Sequence, residues 1–143
     1  MLLPNQGLGC EEGWKKYENS CYKTVIATKA WNEAENDCVN RGAHLASIHS
    51  PEEMTFVSML HDQNNPYLSW IGGLRDGKGS FKWQDGSTFK YENWALGQPD
   101  NDGGNEDCIY FFSDPGQVYH EKWNDIDCSY NILIEGYVCK KDK

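Results

Sequence analysis

Residues 98–108 carry an unusual density of oxygen-bearing side chains, in the sequence QPDNDGGNEDC. The acids and amides of this segment are Gln98, Asp100, Asn101, Asp102, Asn105, Glu106 and Asp107. Carboxylate and amide oxygens are the groups that hold calcium in proteins, and calcium takes roughly six to eight of them. The segment is therefore either a solvated polar turn or part of a cation site, and its composition does not separate the two.

The spacing of these acids excludes a calcium site made by one continuous loop. The EF-hand loop requires glycine at position 6 and glutamate at position 12. Counted from Asp100, those positions hold Asn105 and Phe111. A second segment must therefore contribute ligands, and the downstream stretch KWNDIDC offers Asn124 and Asp125 beside a tryptophan.

The acidic balance of the chain limits the classes of partner. The net charge is −9 over 143 residues, whereas a nucleic-acid-binding protein needs a basic face. No apolar stretch is long enough to span a bilayer, so we expect no membrane insertion by this chain. No signal peptide is visible, and we expect a mature form. The length fits one domain, with residues 1–9 as an N-terminal lead and residues 10–143 as the domain.

Six cysteines in a short chain predict three disulfides and an oxidising compartment, in a secreted protein or the ectodomain of a cell-surface protein. A zinc site is the competing interpretation, but no C-x-x-C pair occurs and no histidine lies at ligand spacing from a cysteine. Six cysteines allow about 15 pairings, and counting does not choose among them. With every cysteine bonded, no thiolate nucleophile is left, and no G-x-S-x-G motif is present. We therefore expect no enzymatic activity.

The elements that must position the polar segments begin with a predicted helix. In TKAWNEAENDCVNRG, the residues Trp31, Ala34 and Cys38 recur at helical spacing, together with Val39. Gly42 is placed to end this helix.

A second helix is predicted in HSPEEMTFVSML. Ser50 is its N-cap, Pro51 occupies the first helical position and Glu53 completes a capping box. Phe56 and Leu60 are expected to face the core. The residues expected to stop the helix are Asn64, Asn65 and Pro66.

From Ser69 onward, short apolar stretches alternate with glycine, aspartate and proline, as strands and turns do. The predicted strands lie in SWIGGL, SFKWQDG, CIYFF, KWND and GYVCK. The fold class is therefore α+β, with two helices followed by a twisted antiparallel sheet. Residues 88–107 show little strand pattern, and long irregular loops in compact domains are usually functional or disordered.

These motifs, in this order, resemble a C-type lectin carbohydrate-recognition domain over residues 10–140. The matching pieces are the opening cysteines with Trp14 and Tyr17, then WIGG, NW, QPD, GNEDC, WND and the final Cys139. Any one of them is weak, whereas the combination is specific. The resemblance implies the long form of this fold, with a long calcium-binding loop. It also implies the disulfides Cys10–Cys21, Cys38–Cys139 and Cys108–Cys128.

The resemblance further implies a principal calcium ion that coordinates two neighbouring sugar hydroxyls directly. The side chains at the matching positions would bind both the ion and the sugar, and they are Gln98, Asp100, Glu106, Asn124 and Asp125. Pro99 matches a proline that is cis in the family. Glu106 and Asp125 could imitate the acid pair of a glycosidase, but an ion between them would keep both ionised, which is wrong for a general acid.

The order of amide and acid in QPD implies a preference for galactose and N-acetylgalactosamine, where a Glu-Pro-Asn loop suits mannose. Galactose-binding members usually place an aromatic residue just after this motif, where it stacks on the sugar ring, and here Asp102 stands at that place. Losing the stack would weaken binding by about 1 kcal/mol. The candidate replacements are Trp83, Tyr119 and His120.

A second, auxiliary calcium site is a further expectation from the resemblance. Its ligands would be Asp76, Asn101, Glu106 and Asp107. Lys78 lies about where an acid is expected, and Asn101 and Asp107 also have a plain solvated interpretation.

Two functions are therefore open. The first is calcium-dependent carbohydrate binding, with glycans ending in galactose or N-acetylgalactosamine as partners. The alternative is calcium-dependent protein binding by a C-type lectin-like module of a larger extracellular proteoglycan or receptor.

Overall fold

The computed structural model describes residues 9–61 and 67–143, which contain two α-helices, eight strands and a short 3-10 helix at Asp102–Gly104. The helices are α1 (Trp31–Asn40) and α2 (Pro51–Met59). The strands are β1 (Lys15–Tyr17), β2 (Ser20–Ile26), β3 (His44–Leu45), β4 (Tyr67–Arg75), β5 (Phe81–Trp83), β6 (Cys108–Ser113), β7 (Trp123–Ile126) and β8 (Ile134–Asp142). The predicted α+β class with two helices is confirmed, although β1 and β2 precede α1 and β3 lies between the helices.

Helix α1 packs on the core through the face that its spacing predicts. Trp31, Ala34 and Cys38 are buried. Val39, expected on the same face, is 49% exposed, because each residue of a helix turns about 100° from its neighbour. Gly42 follows the helix with φ 78°, the left-handed conformation that commonly ends a helix.

Helix α2 begins as predicted but uses its glutamate differently. The Ser50 hydroxyl accepts a hydrogen bond from the Glu53 N–H at 3.0 Å, and Pro51 is the first helical residue. The Glu53 carboxylate does not return to Ser50; it accepts the N–H of His49 at 2.7 Å. The glutamate is therefore drawn into the core, where it is 4% exposed.

The apolar side of α2 is divided between buried and edge positions. Met54 and Val57 are fully buried, whereas Phe56 and Leu60 are partly buried and pack against the same core cluster. Outside the described residues lie the predicted stop residues Asn64, Asn65 and Pro66. Neither helix in the described part of the chain has the length and apolarity to cross a bilayer.

The strands form one mixed sheet in the order β1-β2-β8-β4-β6-β7, with β3 paired to β8 and β5 to β4. The sheet is not antiparallel throughout, because the central strands β4 and β8 run parallel. The two glycines of WIGG allow β4 to pack closely against Leu45 of β3 and Ile109 of β6. A Cβ atom on Gly72 would lie 2.4 Å from the carbonyl oxygen of Leu45, and one on Gly73 would lie 2.3 Å from the Ile109 side chain.

Three disulfides join the elements in the predicted pairs. Cys10–Cys21 joins the N-terminal segment to β2, and Cys38–Cys139 joins α1 to β8. Cys108–Cys128 joins the first residue of β6 to the segment after β7. The last bond flanks both polar segments singled out in the sequence.

An aromatic cluster around Trp123 holds the long irregular segment that precedes β6. The rings of Phe89, Tyr91 and Trp94 lie 5.7 to 6.1 Å from the Trp123 ring, each in an edge-on arrangement. Trp94 also forms a β-bridge with Trp123, and the Trp123 N–H donates to the Asn93 carbonyl at 2.8 Å. This packing fixes the irregular segment directly beside Asn124 and Asp125.

Candidate metal centre

Three carboxylates from two separate segments meet at the end of the β6–β7 pair. One oxygen from each of Asp100, Glu106 and Asp125 lies within 4.8 Å of the others. The strand register explains the meeting, because Ile109 pairs with Asp125 and the loop carrying Glu106 leads directly into β6. Asp125 is 1% exposed. Bringing like charges this close is unfavourable unless a proton or a cation compensates.

Two amide oxygens of the predicted ligand set are buried and lack a partner. These are Oε1 of Gln98 and Oδ1 of Asn124, and neither accepts a hydrogen bond from the described residues. A buried acceptor without a donor costs about 1–3 kcal/mol. The donor end of Asn124 is occupied, since its Nδ2 donates to the Tyr110 hydroxyl at 2.8 Å. The oxygens are thus left available for a group that carries positive charge.

All five predicted principal ligands therefore have suitable oxygens in this region, and the donor set fits a hard cation such as calcium. Three are carboxylates that converge, and two are buried amide oxygens with unused acceptor capacity. The Gln98–Pro99 peptide bond is cis, as the resemblance implies.

Backbone N–H groups of the loop that contains Asp100 donate hydrogen bonds to the carboxylates of Asp125 and Glu106, and these bonds hold the loop in place. The N–H groups of Asp100 and Asn101 donate to Asp125 at 3.2 and 2.8 Å. The Asp102 N–H donates to Glu106 at 3.0 Å. The Glu106 N–H in turn donates to the Asn101 side-chain oxygen at 2.9 Å. The loop is held by the same groups that would bind an ion.

The three carboxylates lie close together, and the pKa values of Glu106 and Asp100 are shifted. Burial, the hydrogen bond with Asp100 and the charge of Asp125 together raise the pKa of Glu106 to about 7. The same hydrogen bond, with Glu106 as donor, lowers the pKa of Asp100. The metal-free fold therefore favours the protonated form of Glu106, because a proton relieves the repulsion among the three carboxylates.

Arg75 is a residue of this region that no sequence pattern singled out. Its Nη2 lies 2.8 Å from Asp125 Oδ2, and its Nε lies 3.4 Å from Asp107 Oδ1. The only signal in the sequence is its place directly before Asp76, in a chain with two arginines. Its contacts depend on the pairing of β4 with β6, in which Leu74 lies opposite Cys108.

The residues predicted for a second calcium ion have other partners. Asp76 Oδ1 accepts the N–H groups of Lys78 and Ser80 at 2.8 and 3.1 Å, within the β4–β5 turn. Asn101 binds the Glu106 N–H, and Asp107 faces Arg75. Among residues 9–61 and 67–143, the acids, histidines and cysteines grouped at metal-binding distance are Asp100, Glu106 and Asp125.

None of the three candidate stacking residues stands beside the carboxylates. Trp83 is 3% exposed and packs on Phe89 in the core. Tyr119 and His120 lie in the β6–β7 connection, beyond the end of the hairpin that carries Asp125. Tyr119 donates to Asp114 at 3.0 Å there. The place after QPD is held by Asp102, an exposed acid.

Comparison with known families agrees with this arrangement. The family model of the lectin C-type domain matches residues 27–141. The chain belongs to the C-type lectin domain family. This C-type lectin domain is 41% identical over 135 residues to the versican core protein of Homo sapiens, a match that covers 90% of this chain and 4% of versican.

Solved structures share the fold over nearly the whole chain. The cow CD23 C-type carbohydrate-recognition domain, crystallised in the presence of a GlcNAc2Man3 oligosaccharide, has a TM-score of 0.80 and 32% identity. That match covers 94% of this chain and 96% of the CD23 chain. A Ca2+-dependent type II antifreeze protein in its Ca2+-free form has a TM-score of 0.77 and 31% identity, covering 92% of this chain and 99% of its own.

These two neighbours differ in what they recognise, although both share the fold of this C-type lectin domain. A fold shared by a sugar-binding domain and an antifreeze protein does not determine the ligand. The ligand must therefore be argued from the residues at the site.

Proposed function

We propose that this domain binds carbohydrate in a calcium-dependent manner through Gln98, Asp100, Glu106, Asn124 and Asp125. The observation that carries the proposal is the pair of buried, unpartnered amide oxygens that belong to the same ligand set as the three converging carboxylates. Five oxygen-bearing side chains of this kind match what calcium requires from a protein. Membership of the C-type lectin family supports the same role.

Calcium bound here would supply coordination positions for two neighbouring hydroxyls of a sugar. The domain's own side chains then orient those hydroxyls. Carboxylates such as Asp100 and Glu106 accept hydrogen bonds from the sugar hydroxyls, and the amide N–H of Gln98 donates one. Hydrogen bonds to charged carboxylates are stronger than those between neutral groups. Asp125 and its backbone partners keep the loop in place while the ligand binds.

The preferred sugars are galactose and N-acetylgalactosamine. The support for this preference is the order of amide, cis-proline and acid at residues 98–100. The surface after Asp100 is open and lacks a ring, because Asp102, Gly103 and Gly104 are all exposed. We therefore expect modest affinity for the free monosaccharide.

Protein binding within a larger extracellular molecule is the second candidate function. The similarity to the versican core protein favours it, since the chain spans only 4% of that proteoglycan. Leu96, two positions before Gln98, is fully exposed. Its apolar side chain suits contact with a protein partner better than contact with the hydroxyls of a sugar. The three disulfides fit an extracellular location, in a secreted protein or the ectodomain of a cell-surface protein.

A galactose-agarose column run first with calcium and then with a chelator separates the two functions. Retention in calcium, with release by the chelator and by free galactose, is the result expected of the lectin. Flow-through in calcium, by a domain that binds calcium in titration calorimetry, favours the protein-binding function. The variant Asn124→Leu removes one buried amide oxygen and should abolish retention, whereas Asn105→Leu, which removes an exposed amide from the loop that carries Glu106, should not.

A further inference from the structure

The guanidinium of Arg75 is placed against the metal centre by several independent contacts. Its Nη2 lies 2.8 Å from the buried Asp125 carboxylate and 3.1 Å from the carbonyl oxygen of Glu106. Its Nε lies 3.3 Å from the same carbonyl and 3.4 Å from the Asp107 carboxylate. One planar group thus contacts three residues of the 98–125 region, which the fork of an arginine does better than a lysine.

The remaining contacts hold the guanidinium in one orientation. Its Nη1 donates to the carbonyl of Gly79 at 3.1 Å, across the β4–β5 turn. Its carbon Cζ lies 4.3 Å from the centre of the Phe81 ring, a favourable cation–π distance. The side chain is 13% exposed. A charge that is shielded from water in this way acts more strongly on its neighbours than an exposed one.

These contacts use the groups that a second metal ion would need. The Asp107 carboxylate and the Glu106 carbonyl oxygen both face Arg75. Asn101 is engaged by the Glu106 N–H, and Asp76 by the β4–β5 turn. A second metal ion bound to Asp107 would lie close to the positively charged guanidinium of Arg75. Two positive charges repel each other strongly at such a short distance.

We propose that the positive charge of Arg75 serves as the second cation of this site. Its guanidinium takes the place of a second metal ion, so the domain binds a single calcium ion and orders its ligand loop before that ion binds. The stoichiometry rests on the proposed calcium function, whereas the ordering of the metal-free loop does not. Arg75 acts through Asp125, so it is a positioning residue that contacts neither the sugar nor the principal ion.

Two measurements test this proposal on the 143-residue chain after treatment with a chelator. Isothermal titration with calcium chloride gives the number of ions bound, and thermal unfolding without calcium gives the melting temperature. The variants are Arg75→Met, which removes the charge, and Arg75→Lys, which keeps it without the fork. The control is Arg41→Met, which breaks an exposed pair of 3.0 Å with Asp37 at a distance from the site.

The wild-type domain is expected to bind one calcium ion. Arg75→Met should lower the metal-free melting temperature by about 5–10 °C, since it leaves the buried Asp125 carboxylate without its ionic partner. Arg75→Lys should fall between wild type and Arg75→Met. Arg41→Met should change the melting temperature by about 2 °C or less, as exposed pairs contribute little. Calcium in excess should raise the melting temperature of Arg75→Met by more than that of wild type, because a second ion then has access to Asp107.

The measurements distinguish failure of the Arg75 proposal from failure of the proposed calcium function. Two calcium ions bound by the wild-type domain would overturn the proposal, since Arg75 would then not exclude the second ion. So would a metal-free melting temperature of Arg75→Met equal to that of Arg41→Met. If wild type binds no calcium, the proposed function fails, and the melting temperatures still decide whether Arg75 orders the loop.

Discussion

Two buried polar clusters in this domain contain similar groups but differ in how completely their charges and hydrogen-bond acceptors are matched. In the first, the carboxylate of Glu53 accepts hydrogen bonds from the Tyr22 hydroxyl, the His49 N–H at 2.7 Å and Lys140 Nζ at 2.6 Å. Lys140 also donates to the carbonyl oxygen of Ser47 at 3.0 Å. The charge of Glu53 is matched by that of Lys140, and the donors that surround Glu53 come from β2, β8 and the segment before α2.

In the second cluster, the acids outnumber the base and some acceptors are left over. Asp100, Glu106 and Asp125 converge, but Arg75 contacts only the last of these three carboxylates. The amide oxygens of Gln98 and Asn124 have no donor among the described residues. A cluster that satisfies itself stabilises the fold, whereas one with unmatched charge and unmatched acceptors indicates a ligand. The difference separates a structural ion pair from a binding site without reference to any relative.

Breaking the self-satisfied cluster should give the largest effect on stability. The variant Lys140→Met leaves the 4% exposed Glu53 without its cation, and we expect a loss of about 3 kcal/mol in the free energy of unfolding. Calcium affinity should stay unchanged, because this cluster shares no residue with the metal centre. Urea denaturation and calcium titration measure the two quantities. A stability loss no larger than that of Arg41→Met, which breaks an exposed pair, would contradict the assignment of this cluster as structural.

The same kind of change in the second cluster should act in the opposite direction on stability. Glu106→Gln removes a carboxylate whose ionised form the fold disfavours, so the metal-free protein should be at least as stable as wild type at pH 8. Calcium affinity should fall by about 100-fold, since affinity follows the number of charged ligands. Titration calorimetry and urea denaturation check both results.

The matched control for Glu106→Gln is Asp102→Asn, which removes an exposed acid from the same loop that lies outside the cluster. Its calcium affinity should change by less than about twofold, as exposed charges are well screened. Equal losses of affinity in the two variants would show that general negative charge, and not ligation by Glu106, attracts the ion.

The raised pKa of Glu106 sets the direction of the pH dependence. Its value of about 7 lies above the ordinary 4.5, so the metal-free fold binds this proton more tightly than the unfolded chain. The contribution of Glu106 to metal-free stability is therefore full below pH 4.5 and is lost as the pH rises through 7. Calcium affinity has the opposite dependence, because the ion needs the ionised carboxylate.

Between pH 8 and pH 6, the apparent calcium affinity should therefore fall by about tenfold, which is the expected effect of one proton competing at a pKa near 7. Calorimetry at pH 6.5 in two buffers of different ionisation enthalpy should detect proton release when calcium binds. Equal heats in the two buffers would mean that Glu106 is already ionised in the metal-free domain. In Glu106→Gln, the release should be absent.

The sequence predicted the helices well because their signals are local. The spacing of Trp31, Ala34 and Cys38 and the cap at Ser50 each lie within a few residues. The parallel pairing of β4 with β8 has no such local signal, because it depends on where the chain returns after the long loop and the β6–β7 hairpin. Val39 was misplaced since one residue of shift changes the face of a helix.

The candidate site was predictable only in part for the same reason. The oxygen-rich segment and the second segment with Asn124 and Asp125 were visible in the sequence, but the full set of five ligands came from the family resemblance. Arg75 was missed because a single arginine at the end of a strand carries no motif, and its role depends on the pairing of β4 with β6. The unpartnered oxygens of Gln98 and Asn124 could not be foreseen, since sequence does not show which acceptors find donors.

The smallest expected effect concerns the open surface beside the metal centre. Asp102→Trp restores a ring after the QPD motif, where stacking on the apolar face of galactose is worth about 1 kcal/mol, or about fivefold in affinity. Asp102→Ala is the control, because it removes the same charge without adding a ring. Titration with galactose in saturating calcium compares the two variants, and neither should differ from wild type in calcium affinity. If both bind galactose equally, the sugar does not lie over this part of the loop, and the protein-binding function gains support because its ligand need not approach Asp102.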